Sequence, residues 1–166
     1  VFRWWGGWYR GVYALFSHIF VQDPSSAVRL QAAGFNGVTV SGDTRFDRVL
    51  DACAHPEALP WLESFRGAAR LLVVGSSWPD DEQWLSTLWE VPGKLPDGWK
   101  IVIAPHEVAP RRIATLCDGI RVPYQRYSQI AKGEAVQSEA QVLVLDTVGK
   151  LLSVYAYASL AYVGGA

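Results

Sequence analysis

Short apolar, β-prone runs alternate along the chain with segments in which apolar residues recur three, four and seven positions apart. The first pattern predicts strands and the second predicts amphipathic helices. The predicted strands are His18–Gln22, Phe35–Val40, Leu71–Val74, Lys100–Ala104, Gln125–Tyr127, Val142–Leu145 and Leu160–Val163. Helices are predicted over residues 2–17, 27–33, 46–53, 108–117 and 150–158, and from Pro79 onward. Strand, helix and strand with short joins are typical of βαβ units, so the sequence predicts an α/β fold with parallel sheets.

The pattern is interrupted over His55–Arg70, which carries two prolines and a glycine. Prolines and glycine break regular structure, and a new strand and helix follow directly. The sequence therefore predicts the end of one domain over residues 1–57, a linker over 58–69, and the beginning of a second domain over 70–166. The chain starts without methionine, and its last strand leads into Gly164-Gly165-Ala166. Both ends are expected to continue in a longer protein, of which this chain would be an internal fragment.

The first predicted helix is rich in aromatic residues. Trp5, Trp8, Tyr9 and Phe16 share one face, while Arg10 lies on another. Two interpretations are open: a helix that rests in a membrane interface, or a core helix with solvated arginines. No apolar run approaches the roughly 18–20 residues that a membrane span requires.

Composition narrows the range of partners. Half of the residues are hydrophobic, and 15 basic against 16 acidic residues give a net charge of −1, which argues against general binding of nucleic acid. Cys53 and Cys117 show no paired spacing and are expected to be small buried residues in a reducing compartment. His18, His55 and His106 share no metal-ligand spacing, so no metal site is predicted.

Four polar loops follow predicted strands, and these are the candidate functional segments. In a parallel sheet the carboxyl ends of the strands lie on one edge, where α/β proteins bind their ligands; across two domains, two such edges can face each other over a cleft. The four loops are Ser41–Arg45, Gly75–Ser77, Pro105–Glu107 and Asp146–Gly149.

The segment VSGDTRFDRV at positions 40–49 has two interpretations. It is either a helix start, with Asp43 or Thr44 as N-cap and Asp47 paired to a neighbouring arginine, or a binding loop in which Arg45 meets an anion. In the second case Asp43 orients Arg45 rather than acting as an acid.

The segment GSSWPDDE at positions 75–82 also has two interpretations. Ser77 and Asp80 have capping-box spacing, and helix capping accounts for the run of acidic residues. The Gly-Ser-Ser turn would also expose amides and hydroxyls to a phosphate. His106 stands at a strand end beside Glu107, where a structural role and a functional role are both open.

Taken together, five segments resemble the 3-deoxy-D-manno-octulosonic acid (Kdo) transferases, in the family's order and at plausible spacing. The opening WWGGWYRGVYALFSHIFVQ is similar to the Bacteroidetes-type branch. The five segments are FVQDPSSAVRL, VSGDTRFDRV, GSSWPDDE, IAPHE and VLDTVGKLLSVYAYASLAYVGG.

The resemblance implies a GT-B glycosyltransferase made of two Rossmann-like domains. It implies inverting, metal-independent transfer of Kdo from CMP-Kdo to a lipid A precursor, without a cofactor, by a protein peripheral to the cytoplasmic face of the inner membrane or anchored there through a preceding segment. Asp43 and Arg45 are expected to meet the acceptor or the sugar carboxylate. The residues expected to bind the donor are Ser76, Ser77, Pro105, His106, Glu107, Thr147, Val148 and Gly149.

The family's general base, a glutamate, is expected before Val1, and its H-N-x-x-E-type motif after Ala166. No catalytic residue is therefore assigned within the chain, which we expect to be inactive by itself. Lys150 stands where many family members carry glutamate, so the resemblance implies no side-chain role at this position. It implies only backbone contacts with the donor from Thr147–Gly149. The alternatives are another GT-B transferase that uses a UDP- or GDP-sugar, and a non-catalytic, flavodoxin-like binding domain.

Overall fold

The computed structural model describes residues 6–55, 57–90 and 96–165, apart from the side chains of Arg48, Cys53 and Glu90. The chain divides into two compact units, Val1–Asp51 and Ala52–Ala166. Every strand pair described in either unit is parallel. The predicted α/β fold with parallel sheets is therefore confirmed.

The first unit contains one βαβ arrangement. Strands β1 (Ile19–Val21) and β2 (Val38–Val40) pair in parallel, with Ile19 opposite Val38, and helix α2 (Pro24–Ala32) connects them. Helix α1 (Gly6–Tyr13) precedes β1, and α3 (Thr44–Ala54) begins shortly after β2. The observed strands are shorter than the predicted ones, but the order of elements is the one that the hydrophobic pattern predicts.

The start of α2 shows why the segment after β1 turns into a helix. The Asp23 carboxylate accepts hydrogen bonds from the Ser26 backbone N–H at 2.9 Å and from the hydroxyls of Ser25 and Ser26. These donors favour the charged form and lower the pKa of Asp23 to about 2, with the Ser25 hydroxyl as the largest cause. Pro24 occupies the first helical position, where its missing N–H costs nothing.

The aromatic face predicted for the first helix is not buried. Residues 2–5 lie outside the described residues; within α1, Trp8 is 71% exposed, and Phe16 beyond the helix is 60% exposed. The core-helix interpretation is therefore wrong for these residues, and membrane contact stays a prediction. None of the helices in the described part of the chain is long and apolar enough to cross a membrane.

The second unit is built on a five-stranded parallel sheet with the order β5-β6-β4-β3-β7. The strands are β3 (Arg70–Ser77), β4 (Trp99–Pro105), β5 (Tyr124–Arg126), β6 (Val142–Val144) and β7 (Leu160–Val163). The helices are α4 (Pro60–Arg66), α5 (Pro79–Glu90), α6 (Pro110–Gly119), α7 (Tyr127–Ala131) and α8 (Leu151–Tyr155).

Helices cover both faces of this sheet. Successive residues of a strand point to opposite faces, so Val73 packs in the layer of α4 and α8, while Val74 packs in the layer of α5 and α6. A continuously apolar strand such as IVIA in β4 is typical of a sheet buried on both faces. Cys117 lies in the second layer with a free thiol, and burial raises its pKa. The side chain of Cys53, also expected to be buried, lies outside the described residues.

The segment predicted to be a linker, 58–69, has a different structure. It contains α4, and Leu59, Leu62 and Phe65 are 1%, 0% and 0% exposed in the core of the second unit. Pro60 occupies the first turn of that helix rather than interrupting it, and Gly67 ends it with a φ of 56°. The two units instead divide between Asp51 and Ala52, inside α3.

The polar segment before β6 is more ordered than its composition predicts. Gln125 in β5 is completely buried, and its amide donates to the Ala135 carbonyl and accepts from the Gln137 N–H. A buried amide satisfied on both sides holds the following loop in place. Sequence periodicity predicted the short strand here but not α7, which is only five residues long.

Candidate functional site

The topology of the second unit singles out one place on the carboxyl edge of its sheet. From β3 the chain moves to β4 on one side of β3, and it later returns to place β7 on the other side. In open α/β sheets, the ligand crevice lies outside the strand ends where the direction of winding reverses. The carboxyl ends of β3 and β7 are therefore the candidate site. Gly75–Ser77 and Gly164-Gly165 stand there.

Strand β3 ends in an irregularity rather than in the turn predicted after Val74. The strand continues to Ser77, which pairs with Pro105, and its register with β4 shifts between Gly75 and Ser77. Ser76 has a φ of 53°, a left-handed conformation that is rare for a residue other than glycine. Strained backbone at a strand end is common at binding sites. Ser76 is half-buried at this edge, next to Gly164.

Ser77 faces the protein interior. It is 1% exposed, and its hydroxyl donates to Glu82 Oε1 at 2.7 Å. Glu82 is also buried and forms an ion pair with Arg112 from α6. The predicted capping box between Ser77 and Asp80 is therefore wrong: the serine bonds the glutamate five residues later, and its hydroxyl is committed within the fold.

Asp81 supplies the helix cap that the sequence assigned one residue too early. Its carboxylate accepts from the backbone N–H of Trp78 and from the hydroxyl of Tyr162 in β7, at 2.9 and 2.6 Å. Gly165 donates a backbone N–H to the same carboxylate. These donors lower the pKa of Asp81, with the Tyr162 hydroxyl as the largest cause and the Trp78 N–H as the second. Asp81 in turn raises the pKa of Tyr162. A single carboxylate thus ties the start of α5 to the end of β7.

We expect Tyr162→Phe to raise the pKa of Asp81 by removing its strongest donor. The folded pKa of Asp81 lies below its unfolded value of about 3.9. The carboxylate's contribution to stability is therefore present above about pH 4 and is lost as the pH falls through the folded pKa. In Tyr162→Phe the folded pKa moves toward the unfolded value, so that pH-dependent contribution becomes smaller.

An NMR titration of the Asp81 carboxyl, with thermal unfolding followed over the same acidic range, measures both effects. Tyr155→Phe is the control, because Tyr155 is a tyrosine of the same unit that does not bond Asp81; burial is what raises its pKa. An Asp81 titration unchanged by Tyr162→Phe would contradict the assignment.

His106 stands at the carboxyl end of β4 and stacks on Trp78. The ring centroids are 4.4 Å apart and the planes are tilted by 20°. The His106 backbone N–H donates to the Ser77 carbonyl at 2.9 Å, which holds the two strand ends together. Pro105 is buried in β4, whereas His106 and Glu107 are exposed. The structure therefore brings His106 beside the Gly75–Ser77 segment, as expected from their strand-end positions.

The loop after β6 lies at the same carboxyl edge. The Asp146 carboxylate accepts from the backbone N–H and the hydroxyl of Ser128, at 2.8 and 2.6 Å, which anchors the start of the loop. Thr147 is half-buried, Val148 is 77% exposed, and Gly149 has a φ of 86° that favours glycine. The loop therefore offers backbone and an exposed apolar side chain at this edge.

Lys150, directly after the loop, has a structural partner. Its ammonium group forms an ion pair with Glu57 at 2.7 Å, and the same carboxylate accepts from the Ser153 hydroxyl at 2.7 Å. The hydrogen bond from Lys150 is the largest cause of the lowered pKa of Glu57, and Glu57 in turn raises the pKa of Lys150. Lys150 is thus paired with an acidic residue that precedes α4.

The candidate residues of the first unit pair with each other. Asp43 accepts from the Arg45 guanidinium at 2.9 Å and from the Arg45 backbone N–H at 3.0 Å, immediately before and at the start of α3. Arg45 lowers the pKa of Asp43, and Asp43 raises that of Arg45. The Arg45 side chain remains 80% exposed. Asp43 orients Arg45, as expected, and leaves much of the guanidinium open to solvent.

Several residues of the candidate site were missed by sequence reasoning. They are Trp78, Asp81, Tyr162, Gly164 and Gly165. Trp78 and Asp81 follow β3 directly, whereas the other three reach Ser76 because β7 pairs with β3, which only the tertiary structure shows. A Cβ on Gly164 would lie 2.8 Å from the Ser76 carbonyl oxygen and 2.3 Å from an Asp81 carboxylate oxygen. The signal in the sequence was a pair of glycines directly after a strand.

Metal ligands do not gather in the described part of the chain. No three side chains among its His, Cys, Asp and Glu residues are arranged as a metal site requires. Among the described residues, this edge offers backbone amides, the His106 imidazole, the exposed Trp78 indole and the carboxylate of Asp81.

Comparison with known proteins identifies a structural relative. No protein-family model matches the chain. No curated protein matches it either. Among solved structures, the C-terminal CMP-Kdo binding domain of WaaA from Acinetobacter baumannii is similar, with a TM-score of 0.52 and 16% sequence identity. The match covers 72% of this chain and 58% of that one, so this chain spans less than two thirds of its relative. At this identity the likeness establishes a shared fold.

Proposed function

We propose that this chain is part of a GT-B glycosyltransferase that transfers Kdo from CMP-Kdo to a lipid A precursor at the cytoplasmic face of the inner membrane. The observation that carries the proposal is the fold shared with a domain described as binding CMP-Kdo. Five sequence segments that resemble the same family also support it. The proposed transfer is inverting and independent of metal, with CMP-Kdo as the donor substrate.

The charges on the carboxyl edge suggest where the CMP phosphate binds. Asp80 and Asp81 stand in the first turn of α5, and the pKa of Asp81 is held low by its donors, chiefly Tyr162. Fixed negative charge beside Gly164 opposes a phosphate at this helix start. We therefore place the phosphate toward the β4–β6 side, near His106 and the amides of residues 147–149.

The remaining predicted residues take supporting roles in this proposal. Ser76 and Pro105 line the nucleotide-binding site, and Glu107 lies at the edge of that site. Ser77 holds the strand end through its buried hydroxyl rather than meeting the ligand. Arg45, in the first unit, is proposed to meet the sugar carboxylate or an acceptor phosphate. Because CMP leaves as an anion, donors held in position around its phosphate would lower the barrier to transfer.

The nucleotide assignment is tested by calorimetry with CMP on the full-length protein that contains this chain and on its His106→Ala variant. Loss of one hydrogen bond to a charged group is expected to weaken CMP binding about tenfold. Glu139→Ala is the control, because Glu139 is exposed in the segment before β6, away from the carboxyl edge.

The result also separates the alternatives. Equal CMP affinity in wild type and His106→Ala would contradict the site assignment. Preference for UDP or GDP over CMP would favour a transferase that uses another nucleotide sugar. A protein that binds none of these nucleotides would favour a non-catalytic domain.

A further inference from the structure

Trp78 is an exposed aromatic side chain held rigidly at the place where the winding of the sheet reverses. The residue is 43% exposed, although a tryptophan would be stabilised by burial. Its backbone is fixed on both sides, since its N–H donates to Asp81 and its carbonyl accepts from the Glu82 N–H. A ring held in one position loses little conformational entropy when a ligand binds.

Two neighbours hold the indole in place. His106 stacks on the ring at 4.4 Å between centroids. Gly165 lies beside the pyrrole part of the indole, where a Cβ would come within 2.4 Å of Nε1 and 2.7 Å of Cδ1. A side chain at position 165 would therefore clash with the ring. Only glycine lets the backbone approach the indole this closely.

The surrounding charge indicates which part of a nucleotide fits there. Asp81 accepts from the Trp78 N–H, and Asp80 is exposed in the same helical turn. Acidic neighbours oppose a phosphate but not an uncharged heterocycle, and every nucleobase can stack on an aromatic ring. We propose that Trp78 is the stacking contact for the cytosine base of the bound nucleotide, an inference that rests on the proposed function.

The test compares two ligands that share the phosphate and differ in the base. Binding of CMP and of ribose 5-phosphate is measured by calorimetry on wild type, Trp78→Leu and Trp78→Phe. Loss of one base–aromatic stack is expected to weaken CMP binding about tenfold in Trp78→Leu. Trp78→Phe should recover part of this loss, and ribose 5-phosphate should bind all three proteins equally.

Trp84→Leu is the matched control. Trp84 is a second exposed tryptophan; it lies within α5, is 58% exposed and stacks on Tyr162 instead of His106. Its replacement should leave CMP binding unchanged. Circular dichroism shows whether each variant is folded. If Trp78→Leu is not folded, the CMP affinity of Trp78→Phe provides the test.

Three outcomes would overturn the inference. CMP bound equally by wild type and both Trp78 variants would remove Trp78 from the site while leaving the proposed function intact. An equal loss for CMP and ribose 5-phosphate would show that Trp78 acts on the phosphate or through the fold. A wild-type protein that does not bind CMP would overturn the proposed function, and this inference with it.

Discussion

Replacing Phe65 with alanine is expected to lower the free energy of unfolding of the second unit by about 3–5 kcal/mol. Phe65 is fully buried between α4 and the sheet, so its removal leaves a cavity as well as losing apolar burial. The Lys100 ammonium lies 4.7 Å from the ring centroid and donates to the Phe65 carbonyl at 2.6 Å. Urea unfolding followed by circular dichroism measures the loss.

This variant also decides the status of the segment that the sequence predicted to be a linker. A side chain in a solvated linker could be replaced without cost. Ser64→Ala is the control, because Ser64 is the exposed neighbour of Phe65 on the same helix. Equal stability of Phe65→Ala and Ser64→Ala would show that α4 is not part of the folded core.

Replacing Glu82 with alanine is expected to destabilise the second unit by about 3 kcal/mol, at the lower end of the range for a broken buried ion pair. The change removes the acceptor of the Ser77 hydroxyl and leaves the Arg112 guanidinium without its carboxylate. Arg112 is only 16% exposed, so water compensates for little of the loss. Chemical unfolding provides the measurement.

The comparison variants separate charge from packing. Gln83→Ala, at the exposed next position of α5, should change stability little. Glu82 and Arg112 both line a groove of about 340 Å³ between α5 and α6. The double variant Glu82→Leu with Arg112→Met should recover much of the stability, since apolar residues of similar volume can replace a buried pair. A Glu82→Ala protein as stable as Gln83→Ala would show that the pair contributes nothing to the fold.

The errors at the candidate site share one cause. Ser77 and Asp80 have the spacing of a capping box, yet the strand continues to Ser77 and the cap is supplied by Asp81. A spacing rule assigns partners within a helix turn, whereas the length of β3 depends on pairing with β4. Local sequence could not predict where that pairing ends.

The spacing of apolar residues along the sequence determined the order of strands and helices in this protein. The spacing distinguishes the two because side chains on one face of a strand recur with a different period from those on one face of a helix. It also placed His106 and residues 147–149 after strands, and therefore on one edge of a parallel sheet. These conclusions need only local periodicity and the direction of the chain.

Only the tertiary structure decided which strand ends are neighbours. β7 pairs with β3, which brings Gly164-Gly165 and Tyr162 to Trp78 and Asp81 from more than 80 residues away. It also buried α4 in the core and committed the Ser77 hydroxyl to Glu82. Such contacts depend on the order of strands in the sheet, and that order results from packing across the whole unit rather than from any short stretch of sequence.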